Sequence, residues 1–333
     1  MAKVDTVTVA DVEALRAPLT GYCYRLLGAA ADTDDAVQET IIRASTRLET
    51  FDPRRARLTT WVHRIATNIC LDMLRAAARR ALPVDLSPGS AGAAAFDAPL
   101  PAERFVEPMP DARVVETTDP GQVVERRETV RLAYIAALQH LTPRQRAVLV
   151  LRDVLGFSAA ETAVILQVTT AAANSALQRA RAGLAAAAPQ PAEITDPTDP
   201  AQQQLVQAFI AAFEGHDVES MIQVLHADAV QTMPPLAWQV AGGAQIAHMI
   251  CTSDACARDR MLPIAINGSI GVGQYRPDET GVLRPFALVL LESTGGQVIE
   301  MVTFLGTEGR FAEFGLPHVL EPSAAGWWPP SEP

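Results

Sequence analysis

Trp61, Arg64 and Asn68 follow one another at i, i+3 and i+7, so a helix carries all three on one face. An indole can stack on or wedge beside an unpaired base, a guanidinium can hold a phosphate, and a carboxamide can read a base edge. Arg54, Arg55 and Arg57 lie just before them, in the loop-like stretch FDPRRARLTT. The combination suits single-stranded DNA. It also suits an aromatic core anchor beside surface arginines, and spacing alone favours that plainer reading.

Two further faces carry recognition chemistry. Asp35, Gln38, Glu39 and Ile42 form an acidic, amphipathic helix face suited to docking another protein, or a simple solvated face. Thr169, Thr170, Asn174, Ser175 and Gln178 point outward from a second candidate helix and are followed by Arg179 and Arg181. Hydroxyls and carboxamides of this kind contact phosphates or base edges in a major groove. An ordinary solvated polar face is the alternative reading. Near the C-terminus His226, Asp228, Trp238, His248 and Tyr275 could line a pocket, although no pair among them has spacing that demands acid–base work, and ordinary surface or core positions are favoured. Cys251 and Cys256, five apart, read as free thiols, and neither they nor the six scattered histidines make a metal site. No cofactor is expected.

The elements that must position these groups follow from periodicity. Residues 10–80 read as helical: Leu19, Leu26 and Leu27 precede a stop at Gly28, Asp32 or Thr33 offers a cap for a helix to Leu48, and a third helix runs from about Thr60 to Arg80 with Val62, Ile65, Ile69 and Met73 inward. Residues 81–120 are rich in Pro, Gly, Ala and Asp, without period, and read as a linker. Residues 121–186 are helical again. Thr142-Pro143-Arg144-Gln145 and Ser158-Ala159-Ala160-Glu161 are capping boxes, and a tight turn at 166–169 leads into a helix from Thr170, a helix-turn-helix pattern. Residues 187–200 read as a second linker. Then the period changes: helices at about 201–214 and 217–226 precede strands at Ala229–Met233, Leu262–Ile266, Ser269–Tyr275, Phe286–Glu292 and Val298–Leu305, with Asn267-Gly268 and Gly295-Gly296 as hairpin turns. Helices followed by a meander make residues 201–320 an α+β domain, with 321–333 as a tail.

Charge divides the same way. The 333-residue chain has a net charge of −11, which argues against nucleic acid only until it is split. Residues 1–80 carry +2 and 121–188 carry +4, whereas 81–120 carry −5 and 189–333 carry −12. DNA would meet the basic pieces. Four cysteines are too few for a disulfide scaffold, no apolar run is long enough for a membrane helix, and the start lacks the pattern of a secretory leader, so the cytoplasm is the expected location.

Together, DDAVQETIIRA (34–44) with LTTWVHRIATNICLDMLR (58–75) resembles region 2 of the extracytoplasmic-function (ECF) sigma factors of bacterial RNA polymerase, and residues 141–184 resemble their region 4. Residues 200–320 are similar to SnoaL-like domains, through the helical run into AFEGHDVESMIQVLHADAVQTMPPLAWQVAG, the NGSIGVGQY hairpin and VIEMVTFLG. The resemblance implies two all-α sigma domains and an α+β cone. It implies that Asp35, Gln38, Glu39 and Ile42 bind core polymerase. Arg57, Thr60, Trp61, Arg64 and Asn68 would melt and capture the −10 element, and Thr169, Thr170, Asn174, Ser175, Gln178 and Arg179 would read the −35 element. The implied partners are core RNA polymerase and promoter DNA, with a small ligand possible at the third domain and no membrane. Thr59, Asn174 and Ala176 stand where the family often has basic residues, so no promoter sequence carries over. The chain is thus expected to be a non-enzymatic sigma factor with a regulatory C-terminal domain. Two alternatives are a one-component helix-turn-helix regulator, which leaves residues 35–75 unexplained, and a SnoaL-like enzyme with a DNA-binding leader.

Overall fold

In a computed structural model, the described residues are 7–76, 106–114, 127–187 and 199–320. They divide into two compact units: residues 1–80 with 112–189, and 81–111 with 190–333.

The first unit is helical. Helices α1 (Val9–Glu13), α2 (Arg16–Leu27), α3 (Ala30–Thr46) and α4 (Leu58–Ala76) form its first half. Gly28 adopts φ 73° and ends α2 with its N–H on the Tyr24 carbonyl, because a side chain there would strain the left-handed turn. The expected cap at Asp32 or Thr33 is not used. Helix α3 starts at Ala30, and Thr33 is buried with its hydroxyl donating to Ala29 O at 2.6 Å. Helix α2, with Leu19, Tyr22 and Leu26 buried, packs against α3 and α4, which bury Val37 and Ile41 and Val62 and Ile69 respectively. Complete burial of each aliphatic side chain contributes about 1.5–3 kcal/mol. Tyr22 keeps its hydroxyl satisfied on Thr67 at 2.7 Å.

The second half holds α5 (Asp111–Val114, whose first residue belongs to the other unit), α6 (Leu132–Gln139), α7 (Pro143–Leu149), a π-helical turn (Val150–Val154), α8 (Ala159–Leu166) and α9 (Thr170–Ala187). Both expected capping boxes form: Thr142 with Gln145, and Ser158 with Glu161. Gln167 in the left-handed region, φ 55°, makes the turn between α8 and α9. Ala173, Leu177 and Ala180 are the buried stripe of α9.

The second unit is the expected α+β cone. Helices α10 (Pro200–Glu214), α11 (Val218–Val224) and α12 (Gly243–Thr252) accompany β1 (Leu225–Thr232), β2 (Gln239–Ala241), β3 (Arg260–Ile266), β4 (Ser269–Pro277), β5 (Leu283–Thr294) and β6 (Gln297–Leu305). The sheet order is β2-β1-β6-β5-β4-β3, antiparallel except where β1 runs parallel to β6. Strand β2 and helix α12 were not foreseen; three residues are too few to show a period. The interior is filled by Phe209, Phe213, Trp238, Met261, Val272, Leu291 and Met301 among others.

Part of the sequence read as linker is structured. Val106 and Met109 are buried, and residues 109–111 lie along the β3–β4 hairpin. Asn267 and Gly268, both at positive φ, make its turn. Asn267 is fully buried; its Oδ1 accepts from Met109 N at 2.8 Å while its N–H donates to Met109 O at 3.0 Å. Gly268 N–H donates to the Asp111 carboxylate at 2.7 Å, and Pro110 bridges Ile266.

Candidate nucleic-acid interface

The acidic face lies on α3. Asp35, Gln38 and Ile42 are exposed, Ile42 at 47%, and Glu39 is half-buried. Asp34 beside them pairs with Arg113, Gln38 receives a 3.4 Å hydrogen bond from Arg16, and Glu39 pairs with Arg43. An apolar side chain left open among acids suits a protein surface better than bulk water.

Helix α4 carries the second face. Trp61 and Arg64 are half-buried and Asn68 is exposed. The Trp61 ring is braced by Phe51, centroids 5.3 Å apart, which holds the indole at the end of the basic loop. Arg57 is exposed, but its guanidinium is paired with Glu161 of α8. Thr60 is 2% exposed, with its hydroxyl 3.5 Å from the same carboxylate. In this conformation the Thr60 hydroxyl faces the Glu161 carboxylate rather than solvent. Its neighbour His63 is also buried, donating from Nδ1 to Thr59 O at 2.8 Å. Burial disfavours the imidazolium and lowers its pKa to about 4, against a smaller upward pull from the Thr59 carbonyl.

Helix α9 carries the third face, and all its foreseen residues are exposed together: Thr169, Thr170, Asn174, Ser175, Gln178 and Arg179. Thr169 Oγ1 accepts from Ala172 N at 3.2 Å and caps the helix start, and Arg179 donates to Ser175 Oγ at 2.9 Å. A groove of about 310 Å³ beside them is lined by Arg144, Gln145, Ala172, Ala176 and Arg179. Sequence reasoning treated Arg144 only as part of a cap; the signal it missed was the Arg144/Arg179 pair brought to one groove. Glu161 was likewise read only as a capping residue. It is held ionised, with a pKa of about 2, by the Ser158 N–H and hydroxyl first and by Arg57 after them.

The foreseen pocket of the C-terminal unit is not brought together. The Asp228 side chain is 90% exposed, and its N–H donates to His226 Nδ1 at 3.1 Å. His248 is exposed on α12, and Trp238 is buried in the core. Tyr275 packs against Phe311 and donates to Pro317 O at 2.8 Å. They sit on separate elements: Asp228 on β1, Trp238 just before β2, His248 on α12 and Tyr275 on β4. Among the described residues no cluster of His, Cys, Asp or Glu is placed to hold a metal, and no helix is long and apolar enough to cross a membrane. Cys251 and Cys256 are free thiols.

The family models Sigma-70 region 2 and Sigma-70 region 4 match residues 12–80 and 131–184. The chain is 39% identical over 322 residues to the ECF RNA polymerase sigma factor SigG of Mycobacterium tuberculosis, covering 93% of this chain and 84% of that protein. It is an ECF sigma factor. A second ECF sigma factor of Mycobacterium tuberculosis, SigJ, is 33% identical over 231 residues, covering 67% of this chain and 64% of that one. The crystal structure of SigJ superposes with a TM-score of 0.59 at 24% identity, over 93% of this chain and all of that one, and so shares its fold. As an ECF sigma factor the chain binds core RNA polymerase, recognises promoter DNA through its −10 and −35 elements and starts transcription. The one-component regulator reading therefore falls away.

Proposed function

We propose that α3 supplies the polymerase contact through Asp35, Gln38, Glu39 and Ile42. Arg57, Thr60, Trp61, Arg64 and Asn68 hold the melted −10 strand, and Thr169, Thr170, Asn174, Ser175, Gln178 and Arg179 read the −35 duplex. Exposure of the α3 and α9 sets, and the braced Trp61, support these roles. The factor acts in the cytoplasm beside the transcription machinery. Its work is non-covalent: flipped bases are captured by stacking and phosphates by guanidinium groups.

The C-terminal unit acts as a regulator rather than an enzyme. The observation that carries this reading is the grip of Asn267 and Gly268 on Met109 and Asp111. Those residues belong to the segment joining the two sigma regions, and two residues further on Arg113 pairs with Asp34, next to the polymerase-facing Asp35. A domain that holds the connecting segment restrains where the sigma regions can go. Asn267→Gly combined with Asp111→Ala keeps the left-handed turn and removes both side-chain bonds. The full-length variant is expected to change initiation rate with core polymerase by severalfold while thermal unfolding of the cone is little altered. Equal initiation by variant and wild type would count against the regulatory role.

A further inference from the structure

The groove beside α9, about 310 Å³, has two walls. One is the start of α7, with Thr142, Arg144 and Gln145; the other is Ala172, Ala176 and Arg179 of α9. The three α9 residues are spaced i, i+4 and i+7 and form one stripe. That stripe lies about 60° round the helix from Ser175, at the border of the exposed Asn174, Ser175 and Gln178. A duplex seated on the exposed set therefore brings a backbone strand to the groove. The two alanines are too short to fill it.

Its electrostatics are one-sided. The lining holds two guanidinium groups and no carboxylate, in a chain of net charge −11. Arg144 and Arg179 are both exposed, and neither joins an ion pair among the described residues. Arg181, further along α9, differs: it donates to both Asp153 carboxylate oxygens, at 2.8 and 2.7 Å. Duplex DNA carries one negative charge per about 1.7 Å of its axis. The hydroxyls and carboxamides of the exposed set neutralise none of it, and Arg179 alone is a thin supply.

We propose that Arg144 of α7 is a DNA-binding residue, gripping a phosphate of the −35 backbone opposite Arg179 across this groove. The inference rests on reading α9 as the −35 helix. It adds a contact from a different helix, one that sets affinity and register and carries no base information. Arg144 also stands on a firm base. Gln145 Oε1 accepts from the Thr142 N–H at 3.0 Å and from its hydroxyl at 2.8 Å, Pro143 fixes the first turn, and Arg146 is buried and donates to Gln139 Oε1 at 2.6 Å. Little backbone order is left to be lost on binding.

The test is closed-complex binding in the cold by holoenzyme made with the full chain, titrated with salt. The probes are a promoter duplex and a copy with its −35 element scrambled. Arg144→Ala is expected to lower the slope of log affinity against log salt by about 0.9, and affinity about five- to tenfold at about 0.1 M salt, by the same factor on both duplexes. Arg144→Lys should stay within about twofold of wild type, because a phosphate accepts a point charge. Arg181→Ala removes the same formal charge from a side chain already committed to Asp153, and should leave the slope nearly unchanged. An unchanged slope in Arg144→Ala overturns the proposal. So does a lysine variant no better than alanine, or an equal slope loss in Arg181→Ala, which would mark a diffuse field rather than a contact. Tighter DNA binding by Arg144→Ala also overturns it, since the groove would then serve an acidic protein surface. Asn174→Ala with Gln178→Ala tests the underlying reading separately. If that pair leaves the preference for the intact −35 element unchanged, α9 is not its reader, whatever the slopes show.

Discussion

The two helices assigned above to DNA present their groups in contrasting ways. On α4 and the loop residue before it the proposed reading groups are an indole, two arginines, a threonine and a carboxamide; the Thr60 hydroxyl and the Arg57 guanidinium are already engaged by the chain itself. On α9 every foreseen group is exposed, but all are small and uncharged except Arg179. Two groups of the first set are engaged within the chain, whereas those of the second are left open. A factor built this way is expected to bind duplex DNA weakly by itself. The difference also shows where electrostatics acts: α9 offers few cations for phosphate neutralisation, so most salt dependence should come from α4 and its loop.

The contrast can be broken most forcefully at the platform beneath α9. Leu177 is 6% exposed under the open face. Leu177→Ala is expected to destabilise the helix-turn-helix by about 2–5 kcal/mol, seen as a lower denaturation midpoint with −35 binding lost in step. Intact −35 binding would mean that α9 is not held by this stripe.

The covered helix has its own signature, in acid. The pKa of His63 is about 4 in the folded chain against 6.5 in the unfolded one. A base whose pKa is depressed contributes stability fully above pH 6.5 and loses it as pH falls toward 4. The loss is on the order of 3 kcal/mol by linkage. His63→Leu should flatten the stability profile between pH 6.5 and 4, measured by urea denaturation, and an unchanged slope would show that the ring is solvated.

At the DNA, Trp61→Ala should slow promoter opening by roughly ten- to a hundredfold, the worth of about 1–3 kcal/mol per stacked base, read by permanganate reactivity of the melted strand. Arg179→Ala is expected to be the mildest change. It should weaken −35 binding for all sequences and reduce the slope of log affinity against log salt by about 1. A larger slope change would mean that α9 carries more of the electrostatics than its composition suggests.

Much of this was legible in the sequence. The capping boxes at Thr142 and Ser158, the stop at Gly28 and the turns at Asn267-Gly268 and Gly295-Gly296 form where local chemistry places them, because each is decided by two to four adjacent residues. The faces of α3 and α9 follow from helical period alone. Groups whose role depends on distant neighbours were not legible. Glu161 looks like a cap and is also a partner of Arg57, 104 residues away. Met109–Asp111 lack any period and owe their order to Asn267 and Gly268. The pocket expected from Asp228, Trp238, His248 and Tyr275 did not come together for the same reason, since they lie on separate elements, two exposed and two buried.

The most direct test is run-off transcription by core RNA polymerase with the full chain, on promoter-bearing fragments from the source genome, comparing wild type with Trp61→Ala. Specific starts with wild type, and starts reduced at least tenfold with the variant, are the result this account predicts. No initiation and no binding to core polymerase by the wild-type chain, or equal initiation by both proteins, would contradict it.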